Sequence, residues 1–373
     1  MLTAFTWRRK AVYSFQYKRK EGARGTMRNP ENVLNSLQKH SSSKDYTYNR
    51  LYRNMFNRNL FLQAYQNIYS KQGNMTAGTD GKTIDAMSIE RIDRIIETLK
   101  HESYKPVPAR RVYIPKKNGK LRPLGIPSID DKLVQEVIRM LLEAMYEDSF
   151  EEISHGFRPN RSCHTALRQI QNRFVRCKWY VEGDIKGFFD NIDHEIMINI
   201  LRKRIKDERF INLIRKFLNA GYMEQQELHQ SYSGTPQGGI ISPILANIYL
   251  DQFDKYMAEY KKQFDLGKKR AYNREYAKMA DTRHRLLVKL NNSENQEEKI
   301  YFLNQIKELD KIHRTMPCKE PMDSNFKRLQ YVRYCDDFII GIIGSKEDAK
   351  KVKKEIGQFI QNKLHLELSN EKT

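Results

Sequence analysis

The chain has 373 residues, enough for one large core or two to three smaller units. Lys and Arg number 67 against 46 Asp and Glu, a formal net charge of +21, and an excess of that size points to a polyanionic partner. No run of about twenty apolar residues exists, which excludes a membrane-spanning helix. Residues 1–43 are basic, contain serines and lack periodicity, so they read as a mobile arm with little helix. Its cations Arg8, Arg9, Lys10, Lys18, Arg19 and Lys20 suit RNA contact, while Met27 offers a second start and the acid-free first twenty residues resemble an organelle transit peptide only faintly. From Tyr48 to Lys71 the residues Leu51, Met55, Leu60, Leu62, Ala64, Tyr65 and Ile68 predict helix, and a Gly-rich turn follows at residues 77–81. Ile89, Ile92, Ile95, Ile96 and Leu99 predict an amphipathic helix over 84–99.

Arg110 to Ile126 reads as a β-hairpin around an Asn118-Gly119 turn. A helix from Asp131 to Tyr146 follows, with Leu133, Val137, Met140, Leu141 and Ala144 on one face. Trp179 to Ile185 is strand-like, and Asp193 caps a helix running to Arg204. Ser242-Pro243 starts another, with serine at the N-cap, proline at N1, and Leu245, Ile248, Tyr249, Phe253 and Met257 facing inward. Residues 261–327 interrupt the pattern as an inserted, basic helical hairpin that includes Lys268, Lys269 and Arg270. Tyr331 to Ile343 is a second β-hairpin, and Ser345 caps a last helix through a Ser-x-x-Asp pattern. From Trp179 the order is strand, helix, helix, hairpin, helix, which fits a split β-α-β ferredoxin-like unit in an α+β protein. Cys163, Cys177, Cys318 and Cys335 are scattered and read as reduced thiols rather than metal ligands.

The strongest chemical signal is Tyr334-Cys335-Asp336-Asp337. Two adjacent acids lie between apolar runs, in what reads as a largely buried hairpin, and burying like charges there costs several kcal/mol without a cation. Asp184, at the end of an apolar strand, supplies a third carboxylate. The three make the set that a two-Mg²⁺ phosphoryl-transfer centre requires, provided their strands are neighbours.

The segments Asp184 to Asp190 (DIKGFFD), residues 235–239 (TPQGG) and Tyr334 to Asp337 (YCDD) resemble the A, B and C motifs of reverse transcriptases. The blocks RRVYIPKKNGKLRPLGIP at 110–127 and HGFRPNRS at 155–162 resemble the fingers of the group II intron enzymes. The resemblance recurs in order beyond residue 27. Cys335 stands where the family usually has alanine, which would expose the site to oxidation. The resemblance implies a right-hand polymerase: an extension at 44–85, fingers at 86–178, and a palm at 179–260 and 328–373. Helices would cover one face of the palm sheet. Asp184, Asp336 and Asp337 would hold two Mg²⁺ ions, with the Ile185 carbonyl as a further ligand. Lys116 and Arg122 would clamp the triphosphate of an incoming dNTP. Gln237 and Gly238 would lie against nucleotide and template, and Phe189 would sit under the sugar, with Phe188 in the core. Arg158 and Arg161 could contact template or pack structurally. In that family the palm continues to a thumb, so these residues alone should hold RNA yet polymerise poorly.

The implied function is an RNA-directed DNA polymerase that uses an RNA template and a DNA primer. It would also bind its group II intron RNA as a splicing maturase, in a bacterial cytoplasm or an organelle. An RNA-dependent RNA polymerase shares the palm and metals, but Phe189 stands where such enzymes carry a polar residue. An RNA-binding splicing factor with a disused polymerase site is the alternative from another class, and the three intact acids argue against it.

Overall fold

The computed structural model describes residues 28–369, apart from 44, 72, 116–118, 120, 225–226, 230–233 and 235–237. The basic cluster from Arg8 to Lys20, the start at Met27, Lys116, Gln237 and most of the Asn-Gly turn lie outside the described residues.

The segment read as an unstructured arm contains a helix, α1 (Pro30–Gln38). Asn29 caps it by accepting from the Glu31 N–H at 2.9 Å, and Pro30 opens the first turn. Val33 is buried and Leu34 and Leu37 pack beside it in the main core, so tertiary contact supplies what the short apolar pattern lacked. The predicted helix from Tyr48 is two elements. Tyr52–Phe56 is a short 3₁₀ turn, and α2 (Arg58–Tyr69) starts afresh behind an Asn57 cap. Likewise α3 (Ile89–Lys100) begins at a Ser88 cap rather than at Ile84, which leaves Ile89 exposed while Ile92, Ile95, Ile96 and Leu99 are buried.

Strands β1 (Ala109–Pro115) and β2 (Leu121–Ile126) form the expected hairpin, in register from Arg110↔Ile126 to Pro115↔Leu121. Helix α4 (Ile129–Tyr146) is buried on nearly every side, so one apolar face understates it. Helix α5 (Cys163–Arg173) follows, then β3 (Trp179–Asp184), and α6 (His194–Arg204) under its Asp193 cap. Helix α7 (Glu208–Leu218) leads into two three-residue strands, β4 (Tyr222–Glu224) and β5 (Glu227–His229). These extend the hairpin into a sheet of order β2-β1-β4-β5, with β4 parallel to β1. The sequence reading contained neither α5, α7, β4 nor β5.

Helix α8 (Ser242–Phe264) buries Leu245, Ile248, Tyr249, Phe253 and Met257 as expected. Ile241, not Ser242, stands at its N-cap, and the helix runs unbroken past residue 260. The insertion is an antiparallel pair, α9 (Arg274–Asn292) and α10 (Gln296–Thr315). Its base closes through Leu266–Lys327 and Tyr272–Lys319 β-bridges. Strands β6 (Arg328–Tyr334) and β7 (Asp337–Ile343) then form the second hairpin. Ser345 caps α11 (Lys346–Leu364) in a capping box with Asp348.

The second sheet has the order β3-β7-β6, and Leu368 bridges Ile185 just beyond β3. Leu329, Tyr331, Phe338, Ile340 and Ile342 join the main core with α8 and α11. On the opposite face Val332 and Ile339 pack against Ala166 and Ile170 of α5 and against Phe174. Helices therefore cover both faces of this sheet, where the sequence placed them on one. A strand with apolar residues at both parities, as in Tyr331-Val332, needs cover on both sides.

Candidate active site

The pairing of β3 with β7 sets Asp184 directly opposite Asp337. Asp336 precedes Asp337 in the two-residue turn that joins β6 to β7. Acids far apart in the chain thus meet at one end of the sheet. Their burial differs from expectation: Asp184 and Asp336 are half-buried and Asp337 is exposed. The hairpin body is buried, but its tip opens to solvent, so the cost of crowding the charges is smaller than the sequence suggested. Beyond Asp184 the chain bonds to the segment at Leu368, with Ser369 N–H donating to the Asp184 carbonyl at 2.8 Å and Lys186 N–H to Glu367 at 2.9 Å. Successive strand carbonyls point to opposite edges, so the Ile185 carbonyl is directed to the β7 side, where the acidic turn lies.

A buried network fixes that turn. Cys335 has φ +58°, in the left-handed region. Its carbonyl accepts from the Arg333 guanidinium at 2.8 Å. Arg333 is fully buried and pairs with the equally buried Asp254 of α8, Nε to Oδ1 at 2.8 Å. It also donates to Ser154 Oγ at 2.7 Å and Asn247 Oδ1 at 3.3 Å, while the Tyr331 hydroxyl donates to Asp254 at 2.9 Å. Burial works against the Arg333 charge, yet the Asp254 carboxylate more than offsets it and holds its pKa above the ordinary value. The sequence reading missed this network. Its signal was an arginine in the buried stripe Leu329, Tyr331, Arg333, which a charge occupies only with a partner. Gly156 completes the support, because a Cβ there would fall 2.4 Å from the Cys335 amide nitrogen and sulfur. Burial, with the Asp336 and Asp337 charges adding, pushes the Cys335 thiol up to about 12.

After β3 the chain turns through Gly187 at φ +54° into a short 3₁₀ turn, Phe188–Asp190. Phe188 is buried and stands edge-on to Tyr249, with ring centroids 6.5 Å apart. Phe189 is half-buried, with its ring 6.5 Å from that of Phe157. Gly238 is exposed at φ +106°, and a Cβ there would fall 2.6 Å from the Gly125 carbonyl of β2. Glycine alone permits that approach of the 238 turn to the hairpin. Arg122, on the same strand, is exposed.

Arg158 departs from a binding role. It is buried, and its guanidinium donates to Glu147 Oε1 at 3.0 Å and to the carbonyls of Glu151 and Ser154 at 2.8 and 2.9 Å. Of the two roles left open by the sequence it has the structural one. Arg161 is half-buried and donates to the Glu152 carbonyl at 2.7 Å. Lys268 and Lys269 are exposed, and Arg270 lies over the Phe326 ring at 5.5 Å. All three sit in the connection between α8 and α9 rather than on a helix.

Among the described residues no group of three or more His, Cys, Asp or Glu forms a ready-made metal cage, and no helix is long and apolar enough to cross a membrane. Asp184, Asp336 and Asp337 nonetheless place hard carboxylate donors at one end of the sheet, a ligand type that suits Mg²⁺.

Residues 114–272 match the family described as reverse transcriptase (RNA-dependent DNA polymerase). The group II intron-encoded protein LtrA of Lactococcus lactis subsp. cremoris is 47% identical over 343 residues, covering 91% of this chain and 57% of that protein. Protein YkfC of Escherichia coli is 33% identical over 319 residues, 83% of this chain and 75% of that protein. Nuclear intron maturase 2, mitochondrial, of Arabidopsis thaliana is 28% identical over 283 residues, 65% of this chain and 35% of that protein. The chain thus spans little more than half the length of LtrA. With motif order, sheet register and relatives in agreement, it belongs to the family of group II intron-encoded reverse transcriptases and maturases.

Proposed function

We propose that this chain is the polymerising core of an RNA-directed DNA polymerase of a group II intron, which also holds its intron RNA as a splicing maturase. The observation that supports it most is the register that sets Asp184 opposite Asp337, with Asp336 beside them. Asp184, Asp336, Asp337 and the Ile185 carbonyl would hold the metals. Two bound Mg²⁺ ions would supply activation of the attacking 3′ oxygen and stabilisation of the leaving pyrophosphate. The chain's own groups orient the substrates. Lys116 and Arg122 clamp the dNTP triphosphate from the hairpin, Gln237 and Gly238 border nucleotide and template, and Phe189 lies beneath the sugar. The primer is DNA and the template RNA.

In this reading residues 44–85 are the N-terminal extension, 86–178 the fingers, and 179–260 with 328–373 a ferredoxin-like palm interrupted by the insertion at 261–327. The spatial order Leu368 bridge, β3, β7, β6 supports that palm topology. The arm at 1–43 and the exposed Lys268 and Lys269 would track intron RNA phosphates. Relatives occur in a bacterium and in a plant as a mitochondrial protein, so bacterial cytoplasm or an organelle is the compartment proposed.

Asp184→Asn and Asp336→Asn in the full-length protein test the centre. Each should abolish primer extension and leave intron-RNA affinity within about two-fold, since a lost metal ligand removes several kcal/mol of transition-state stabilisation. Extension by either variant at near wild-type rate would overturn the assignment.

A further inference from the structure

Phe157 takes no part in the roles above, and its setting is unusual. The residue is 54% exposed, although its backbone sits at φ +55°, a conformation that phenylalanine rarely adopts. Both neighbours are anchored. The Gly156 carbonyl accepts from Asn247 Nδ2 at 2.9 Å, and its Cα abuts Cys335. Arg158 is locked by its bonds to Glu147, Glu151 and Ser154. Two buried anchors therefore hold a strained residue whose side chain gains little from the core. The ring stands edge-on to Phe189, next to the turn that carries Asp336 and Asp337.

A rigid apolar ring in solvent, beside a centre that handles polynucleotides, has one ready chemical use. Nucleobases present flat π faces of every sequence, and an aromatic side chain stacks on them without reading their edges. The anchored backbone on either side reduces the conformational freedom that binding would have to remove.

We propose that Phe157 is a stacking platform for a nucleobase at the reaction centre, a role that rests on the polymerase reading above. The base belongs either to the bound primer–template or to the incoming nucleotide. The test uses Phe157→Ala, Phe157→Leu and Phe157→Trp in the full-length protein. Kd for a primer–template duplex is read by fluorescence anisotropy without nucleotide, and KM for dNTP by single-nucleotide extension. Alanine should weaken one of these by about ten-fold, as loss of one base stack does. A raised duplex Kd assigns the base to the strand, and a raised KM assigns it to the nucleotide. Tryptophan should restore the wild-type value, whereas leucine, apolar but without a π face, should behave as alanine does. Thermal midpoints of all three should match wild type, because the ring is exposed. Wild-type values for alanine in both assays, or full rescue by leucine, would overturn the platform. Failure of the unsubstituted protein to extend any primer would instead remove the polymerase reading, and the duplex arm would still test the ring.

Discussion

Phe189 and Phe188 are adjacent, yet the structure gives them different surroundings. Phe188 is buried against Tyr249, and Phe189 is half-buried beside Phe157. If Phe189 lies beneath the sugar as proposed, its ring would leave no room for a ribose 2′-hydroxyl, the group that distinguishes RNA precursors from DNA precursors. Phe189→Val should therefore raise ribonucleotide incorporation by about ten-fold or more, some 1.4 kcal/mol of lost discrimination, while DNA synthesis continues. Extension with matched dNTP and rNTP reads the ratio; an equal fall in both rates would make Phe189 a packing residue. At this scale the sequence was informative about identity and poor on exposure. The three acids and the inward Phe188 were legible from motif and pattern. The open position of Asp337 and the burial of Arg158 were not, because each depends on which segments from elsewhere cover the residue.

Two helix starts were legible from their polar caps, Asp193 before α6 and Ser345 before α11, and the structure keeps both. Helix α5 buries only Ala166, so it carries almost no apolar stripe to find. Strands β4 and β5 are three residues each, too short for alternation to register. Helix α7 differs, since Phe210, Ile211, Leu213, Ile214, Phe217 and Leu218 keep helical spacing behind an Asp207 cap and were readable. Between elements the strongest tie absent from the sequence reading joins β6 to α8 through Arg333 and Asp254. Arg333→Met leaves Asp254 buried without its counter-charge and should cost about 3–5 kcal/mol in urea unfolding. The double variant Arg333→Met/Asp254→Leu should cost clearly less than the single one. A single variant as stable as wild type would mean that the pair does not hold β6 to α8.

Over the whole molecule, the net charge of +21 suits a polyanionic partner but does not say which cations would meet it. The structure sorts some of them, with Arg158 turned inward and Lys268 and Lys269 left in solvent. Affinity for intron RNA should fall steeply with salt, and Lys268→Ala/Lys269→Ala should reduce the slope of log Kd against log salt by about one to two. Arg158→Ala should leave that slope unchanged while lowering stability. Equal slopes for the lysine variant and wild type would show that these two lysines only face water. The same connection shows how the insertion is fastened. Leu266 and Lys327 exchange backbone bonds at 3.0 and 3.1 Å, and Asp265 accepts from the Leu329 N–H at 2.8 Å. The chain leaves α8 and enters β6 side by side, through a stem that closes without help from α9 or α10. Lengthening a loop whose ends are already joined costs little, since closure entropy grows only as the logarithm of its length. Shortening or lengthening α9 and α10 together should therefore leave the stem, and the β6 strand that follows it, in place.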